Sequence, residues 1–172
     1  MSDDPYANLG NASLEMQERR VAAMVACAED PKQVEMRRSY LAKLRLPDNA
    51  SGVEFGSGTG DVTRDMIDVA GAQNALGIEP SPVMVEAARS RHSDVSGLSF
   101  EVGDARETNL PAAAFELVMM HTLLIHCPGP EKALAEAFRV LKPGGYLTVF
   151  DEDPPSVTSA IADDDPFRPI VG

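Results

Sequence analysis

The sequence has no tryptophan, only two cysteines and only three histidines in 172 residues. Cys27 and Cys127 lie far apart and without the spacing of metal ligands. Neither a disulfide framework nor a cysteine-based metal site is therefore expected, and both residues read as free thiols. No apolar run approaches the roughly 20 residues a membrane-spanning helix needs. The opening Met1-Ser2-Asp3-Asp4-Pro5 has neither the positive region nor the apolar core of a signal peptide. A cytoplasmic protein is the expectation. Basic residues are also scarce, 15 against 27 acidic, for a formal net charge of -12. That balance disfavours broad binding to nucleic acid or anionic membranes, which reward a basic surface. An apolar content of 44% is ordinary for a globular protein, and the length suits one domain with a substantial core.

What the chain does have is a concentration of glycine at one place, Val53-Glu54-Phe55-Gly56-Ser57-Gly58-Thr59-Gly60. A short apolar run meets three glycines at alternate positions, and a helical pattern follows at once. This predicts a buried strand, a tight turn and a helix start. Glycine serves there because the turn uses backbone angles other residues avoid, and because a ligand must approach the main chain. Amides at such a turn point towards whatever sits over the helix N-terminus. The dinucleotide fingerprint G-x-G-x-x-G/A would need a third glycine where Asp61 stands, so the spacing here is different.

Residues 1 to 13 are polar and read as a flexible arm. Residues 14 to 46 read as two helices. The first shows Leu14, Val21, Met24, Val25 and Ala28 at helical spacing; Pro31 breaks it or opens the second, whose face is Met36, Tyr40, Leu41 and Leu44. These helices either pack on the sheet or form a lid. After the glycine turn, Val62, Met66, Val69 and Ala70 mark a helix, with Gly71 suited to its C-terminal cap. Ala75 to Ile78 reads as a second strand, followed by a helix capped by Ser81 with Pro82 at its first position. A third strand runs from Leu98 to Val102 and a fourth from Phe115 to Met120. Pro130 opens a helix whose apolar stripe is Leu134, Ala137, Phe138 and Leu141; Lys142 to Gly145 stops it before a fifth strand, Tyr146 to Phe150. Residues 153 to 172 are an acidic, proline-bearing segment expected to be solvated, with no metal site among its aspartates.

Strands alternating with helices predict βαβ units and a parallel sheet, with ligands outside the carboxyl ends of the strands. The candidate residues fall there. Glu79 ends the second strand, close to 20 residues after the glycine turn, where a carboxylate can accept the hydroxyls of a ribose. Asp104 follows the third strand, after Gly103, and can accept from an adenine amino group. His121 and His126 flank a largely apolar stretch, and a histidine near a reacting centre can take a proton from a nucleophile. A turn-forming aspartate and structural histidines are the competing readings.

Taken together, these segments resemble the class I S-adenosylmethionine-dependent methyltransferases of the small-molecule type. The resemblance covers roughly residues 30 to 152. It is carried by Val53 to Gly60, by Gly77-Ile78-Glu79-Pro80-Ser81 with Met84, by Gly103-Asp104-Ala105, and by Phe115-Glu116-Leu117-Val118. The stretch from Ala133 through Arg139-Val140-Leu141-Lys142-Pro143-Gly144-Gly145 completes it. It implies a Rossmann-like α/β three-layer sandwich with a mostly parallel sheet ordered 3-2-1-4-5, preceded by N-terminal helices, with the cofactor-binding domain over residues 50 to 152. It further implies that Glu54, Gly56, Ser57, Gly58 and Gly60 hold the methionine end of S-adenosyl-L-methionine. Glu79 and Pro80 would sit at the ribose, Met84, Gly103, Asp104 and Ala105 around the adenine, and Met120 and His121 beside the sulfonium and the nucleophile. The implied reaction is methyl transfer to an O, N or C nucleophile of a small molecule, with S-adenosylhomocysteine as product and no metal.

The sequence departs from the family in having Glu116 after Phe115, where aspartate is common, and in having only 22 residues after Phe150. The family continues there with a further helix and two strands. A chain short at its C-terminus is therefore expected, or one whose exposed fifth-strand edge pairs with a second copy in a homodimer. A catalytically silent cofactor-binding module acting through a partner is the alternative function. An NAD-dependent oxidoreductase is disfavoured by Asp61.

Overall fold

The structure is a computed structural model, and it describes residues 13–151. The expected acidic segment from residue 153 onwards, and nearly all of the expected N-terminal arm, lie outside the described residues.

Two helices lead the chain: α1 (Leu14–Glu29), with Ser13 as its N-cap, and α2 (Pro31–Leu41). Asp30 separates them, its carboxylate accepting from the amides of Lys32 and Gln33 while Pro31 takes the position that has no amide to satisfy. Pro31 therefore opens a helix. The glycine segment follows β1 (Ser51–Phe55) and precedes α3 (Asp61–Asp68). Then come β2 (Asn74–Glu79), α4 (Pro82–Arg91), β3 (Leu98–Val102), β4 (Phe115–His121), α5 (Pro130–Val140) and β5 (Leu141–Phe150).

All five strands are parallel, and their order is β3-β2-β1-β4-β5, as expected. Strand alternation divides the molecule into layers. Val53 and Phe55 of β1, Ile78 of β2 and Val118 and Met120 of β4 pack beneath Ala133, Ala137 and Val140 of α5. On the opposite face Leu117 and Met119 meet Leu41 of α2 and Met66 of α3, while Phe100 meets Val85 and Ala88 of α4. Helices thus cover both faces, the requirement for a parallel sheet whose strands are apolar on both sides.

Three details differ from the expectation. The second helix ends at Leu41, so Leu44 lies in the following turn. Phe138 is 66% exposed; the buried stripe of α5 is Ala133, Glu136, Ala137 and Val140. Small alanines bring α5 close to the sheet, and Phe138 falls on the outer side. Lastly, β5 begins at Leu141 rather than Tyr146, and its pairing with β4 shifts register between Phe115 and Leu117. Gly144 adopts φ +81°, and a Cβ on Gly145 would lie 2.8 Å from the Glu116 carbonyl oxygen. The two glycines therefore let the strand bulge in place of a separate turn. Among the described residues β5 pairs only with β4, and no helix is long and apolar enough to cross a membrane.

Candidate functional site

The turn after β1 has Gly56, Gly58 and Gly60 at φ +75°, +51° and +86°. All three lie in the left-handed region, where a side chain is strained. The amides of Gly56 and Ser57 donate to the Ile78 carbonyl at 2.8 and 3.1 Å, which ties the turn to the end of β2. Glu79 completes that tie. Its carboxylate accepts from the Gly58 amide at 3.1 Å and from the Ser81 amide at 3.0 Å. One acid therefore joins the glycine turn to the start of α4, where the Ser81 hydroxyl caps Met84 at 3.4 Å.

Space over the turn is closely lined. A Cβ on Gly58 would stand 2.9 Å from the sulfur of Met24 on α1, and one on Gly56 would stand 2.8 Å from Leu123 Cδ1. Gly60 is confined from the other side by Phe100 and His92. His92 Nε2 lies 3.0 Å from the Thr59 carbonyl oxygen and donates to it, buttressing the turn from the end of α4. Burial lowers the His92 pKa, while the bond to Thr59 and the charge of Asp61 oppose that shift.

Glu54 is fully buried beneath α3, where the Thr63 hydroxyl donates to it. Burial raises its pKa to about 8, and the nearby charges of Asp61 and Glu79 add to the rise. Facing it on α2, the Arg37 guanidinium is committed to Asp65 at 2.6 Å and to the Ala28 carbonyl. Arg38 engages the other oxygen of Asp65 at 2.8 Å. This pairing clamps α2 onto α3.

Beyond β3, the Gly103 amide donates to the Glu79 carbonyl at 3.1 Å, bringing Gly103-Asp104-Ala105 beside Glu79-Pro80. The Asp104 carboxylate is gripped by Arg106, which holds its pKa low. Ala105 is buried in the core under α5, and Met84 is buried in the first turn of α4. At the end of β4 the two neighbours diverge. Met120 turns into the core with Val53 and Phe55, whereas His121 points to the opposite face, towards α2. The structure thus gathers Gly56 to Gly60, Glu79, Pro80, Gly103 and Asp104 at the carboxyl ends of β1, β2 and β3, with His121 at the end of the adjacent strand.

Residues 53–149, more than half of the chain, match the family described as Methyltransferase domain. The chain belongs to the methyltransferase domain family. Among its relatives, a ubiquinone/menaquinone biosynthesis C-methyltransferase of Desulfotalea psychrophila is 32% identical over 70% of this chain and 48% of its own length. A sterol 24-C-methyltransferase of Aspergillus fumigatus is 30% identical over 65% of this chain and 30% of its own. The chain thus spans less than half the length of these curated relatives. A crystal structure of an Aquifex aeolicus SAM-dependent methyltransferase shares the fold, with a TM-score of 0.65 at 20% identity, covering 75% of this chain and 71% of that one.

Several residues that shape the site carried no functional signal in the sequence. Met24 and Tyr40 read as members of helical faces, Leu123 as part of the apolar stretch between His121 and His126, and Arg37 and His92 belong to no motif. Their roles come from contacts between elements distant in the chain. The one available hint was that the face containing Tyr40 is otherwise apolar.

Proposed function

We propose that this chain binds S-adenosyl-L-methionine over the glycine turn and transfers its methyl group to a small molecule. The observation that carries the reading is the junction of three left-handed glycines with the Glu79 carboxylate. A Cβ could not be accommodated at Gly56 or Gly58 without displacing Leu123 or Met24, so both positions require glycine and the turn keeps its left-handed backbone. Glu79 accepts from the Gly58 and Ser81 amides, which hold its carboxylate at the carboxyl end of β2 beside the glycine turn. A carboxylate accepts hydrogen bonds and donates none, the chemistry that recognition of a vicinal diol needs. These features fit a nucleoside cofactor bound through its ribose.

In this reading the glycine turn and Glu54 lie at the methionine end, and Glu79 with Pro80 at the ribose. Met84, Gly103, Asp104 and Ala105 surround the adenine, and Met120 and His121 end the strand nearest the reacting centre. The cofactor would supply an activated methyl group. The chain's own contribution is positioning and the exclusion of water by α1 and the segment around Leu123. An O, N or C nucleophile is compatible with the site, and the names of the quinone and sterol relatives favour carbon. A homodimer through the β5 edge belongs to the same reading, supported by the partial exposure of Tyr146 and Val149 on that strand; sedimentation velocity tests it.

The deciding experiment is calorimetric titration with S-adenosylhomocysteine, with NADH as control. One-site binding in the micromolar range, absent for NADH, is expected. No binding by a folded chain would overturn the assignment.

A further inference from the structure

Tyr40 and His121 are 81 residues apart and meet across the α2–β4 boundary. The Tyr40 hydroxyl lies 2.8 Å from His121 Nδ1. The imidazole also stacks on Phe150 of β5 at 4.8 Å between ring centroids, 19° from parallel. Tyr40 stacks on Phe150 too, at 6.1 Å and 15°. The ring of His121 is thus fixed in position, in tilt and at one nitrogen.

The inventory of acceptors favours the phenol as the donor in this pair. A phenol has one proton to give, and Tyr40 has no other acceptor among the described residues. With the phenol as donor, its proton goes to Nδ1 and the imidazole proton sits on Nε2. Among the described residues Nε2 makes no hydrogen bond, and His121 is not fully enclosed. The charged groups that act on the ring are Arg37 of α2, which opposes its protonation, and Asp151 after β5, which favours it. Burial outweighs both and lowers the His121 pKa to about 4. The ring is neutral near pH 7. A side chain that offers N–H and resists a proton is a poor general base and a good fixed donor.

We propose that Tyr40 is a positioning residue that locks His121 as a neutral Nε2–H donor, aimed at an electron-rich oxygen of the methyl acceptor. The acceptor class this selects is a phenolate or enolate already ionised at neutral pH, because His121 has no free nitrogen with which to remove a proton. This rests on the methyltransferase reading above. It differs from a base role for His121, which would need a bare nitrogen facing the substrate.

The test is NMR of the full chain with 15N-labelled histidine, with S-adenosylhomocysteine present and 4-nitrophenolate as the probe. The His121 ring is expected in the Nε2–H form at pH 7, titrating near pH 4, and its Nε2 resonance should move as the phenolate is added. Tyr40→Phe keeps the stacking and removes the hydroxyl. It is expected to mix the tautomers and weaken phenolate binding at least fivefold, with homocysteine-nucleoside affinity unchanged. A merely structural Tyr40 would leave the tautomer intact in that variant. An Nδ1–H ring, a ring charged at pH 7, or a resonance indifferent to the phenolate while S-adenosylhomocysteine binds would overturn the proposal. Loss of S-adenosylhomocysteine binding in the unmutated chain would instead overturn the cofactor assignment.

Discussion

Glu79 Oε2 lies 3.1 Å from the amide nitrogen of Gly58, although 21 residues separate them in sequence. The bond holds the glycine turn against the end of the neighbouring strand. Glu79→Gln replaces one acceptor oxygen by a donating amide, which must then face either the Gly58 or the Ser81 amide. A loss of about 1–3 kcal/mol in urea denaturation is expected, the cost of an unmatched buried group. Unchanged stability would show that the tie is not structural.

Gly58→Val forces a branched side chain into φ +51° and against the Met24 sulfur. The variant should lose affinity for S-adenosylhomocysteine by more than a hundredfold in calorimetry, while its far-ultraviolet circular dichroism stays native. Near-native affinity would remove the glycine turn from the binding site.

Glu54 should make stability fall as pH rises. Its folded pKa, about 8, is above that of an exposed glutamate, so the folded state holds the proton more tightly. Its contribution is complete below about pH 4.5 and is lost as pH rises through 8. Glu54→Gln, which can still accept from Thr63, should therefore gain on the order of 3 kcal/mol relative to the parent between pH 5 and pH 9. A pH-independent difference in chemical denaturation would contradict the buried, protonated acid.

Glu136 has the opposite sign. Arg139, with the Thr108 hydroxyl and amide, lowers its pKa to about 2. That stabilisation is present above about pH 4.5 and disappears as pH falls through 2. Because Arg139 is exposed, we expect no more than about 2 kcal/mol after solvent screening. Glu136→Gln should flatten the acid limb of a stability-against-pH curve in this window.

Asp65 carries both Arg37 and Arg38, and only Arg37 is buried with it. Asp65→Asn leaves a guanidinium without its counter-charge under α2. The expected loss is about 3–5 kcal/mol. Asp65→Asn together with Arg37→Met should recover part of that loss, which a double-mutant cycle would measure.

The order of the sheet was implied by the family resemblance, while the sequence by itself determined the alternation of strands and helices and the location of the glycine turn. Both are written in local terms: apolar runs of strand length, glycines where only glycine tolerates the backbone, and Ser81-Pro82 opening a helix that begins where it should. The ends of β1, β2 and β3 were legible for the same reason, since ligand-facing residues of a parallel sheet follow its strands. Tertiary structure decided the rest. No local pattern could say that Phe138 faces solvent while Glu136 is buried, because Ala133 and Ala137 set the side on which α5 approaches the sheet. Strand alternation sends Met120 and His121 to opposite faces, but only the packing of α2 supplies the Tyr40 hydroxyl that His121 meets. The protonation of Glu54 depends on a desolvated site beneath Thr63, and the contact of His121 Nδ1 is with a hydroxyl 81 residues away. Electrostatics and hydrogen bonding act through space, and those distances exist only once the chain has folded.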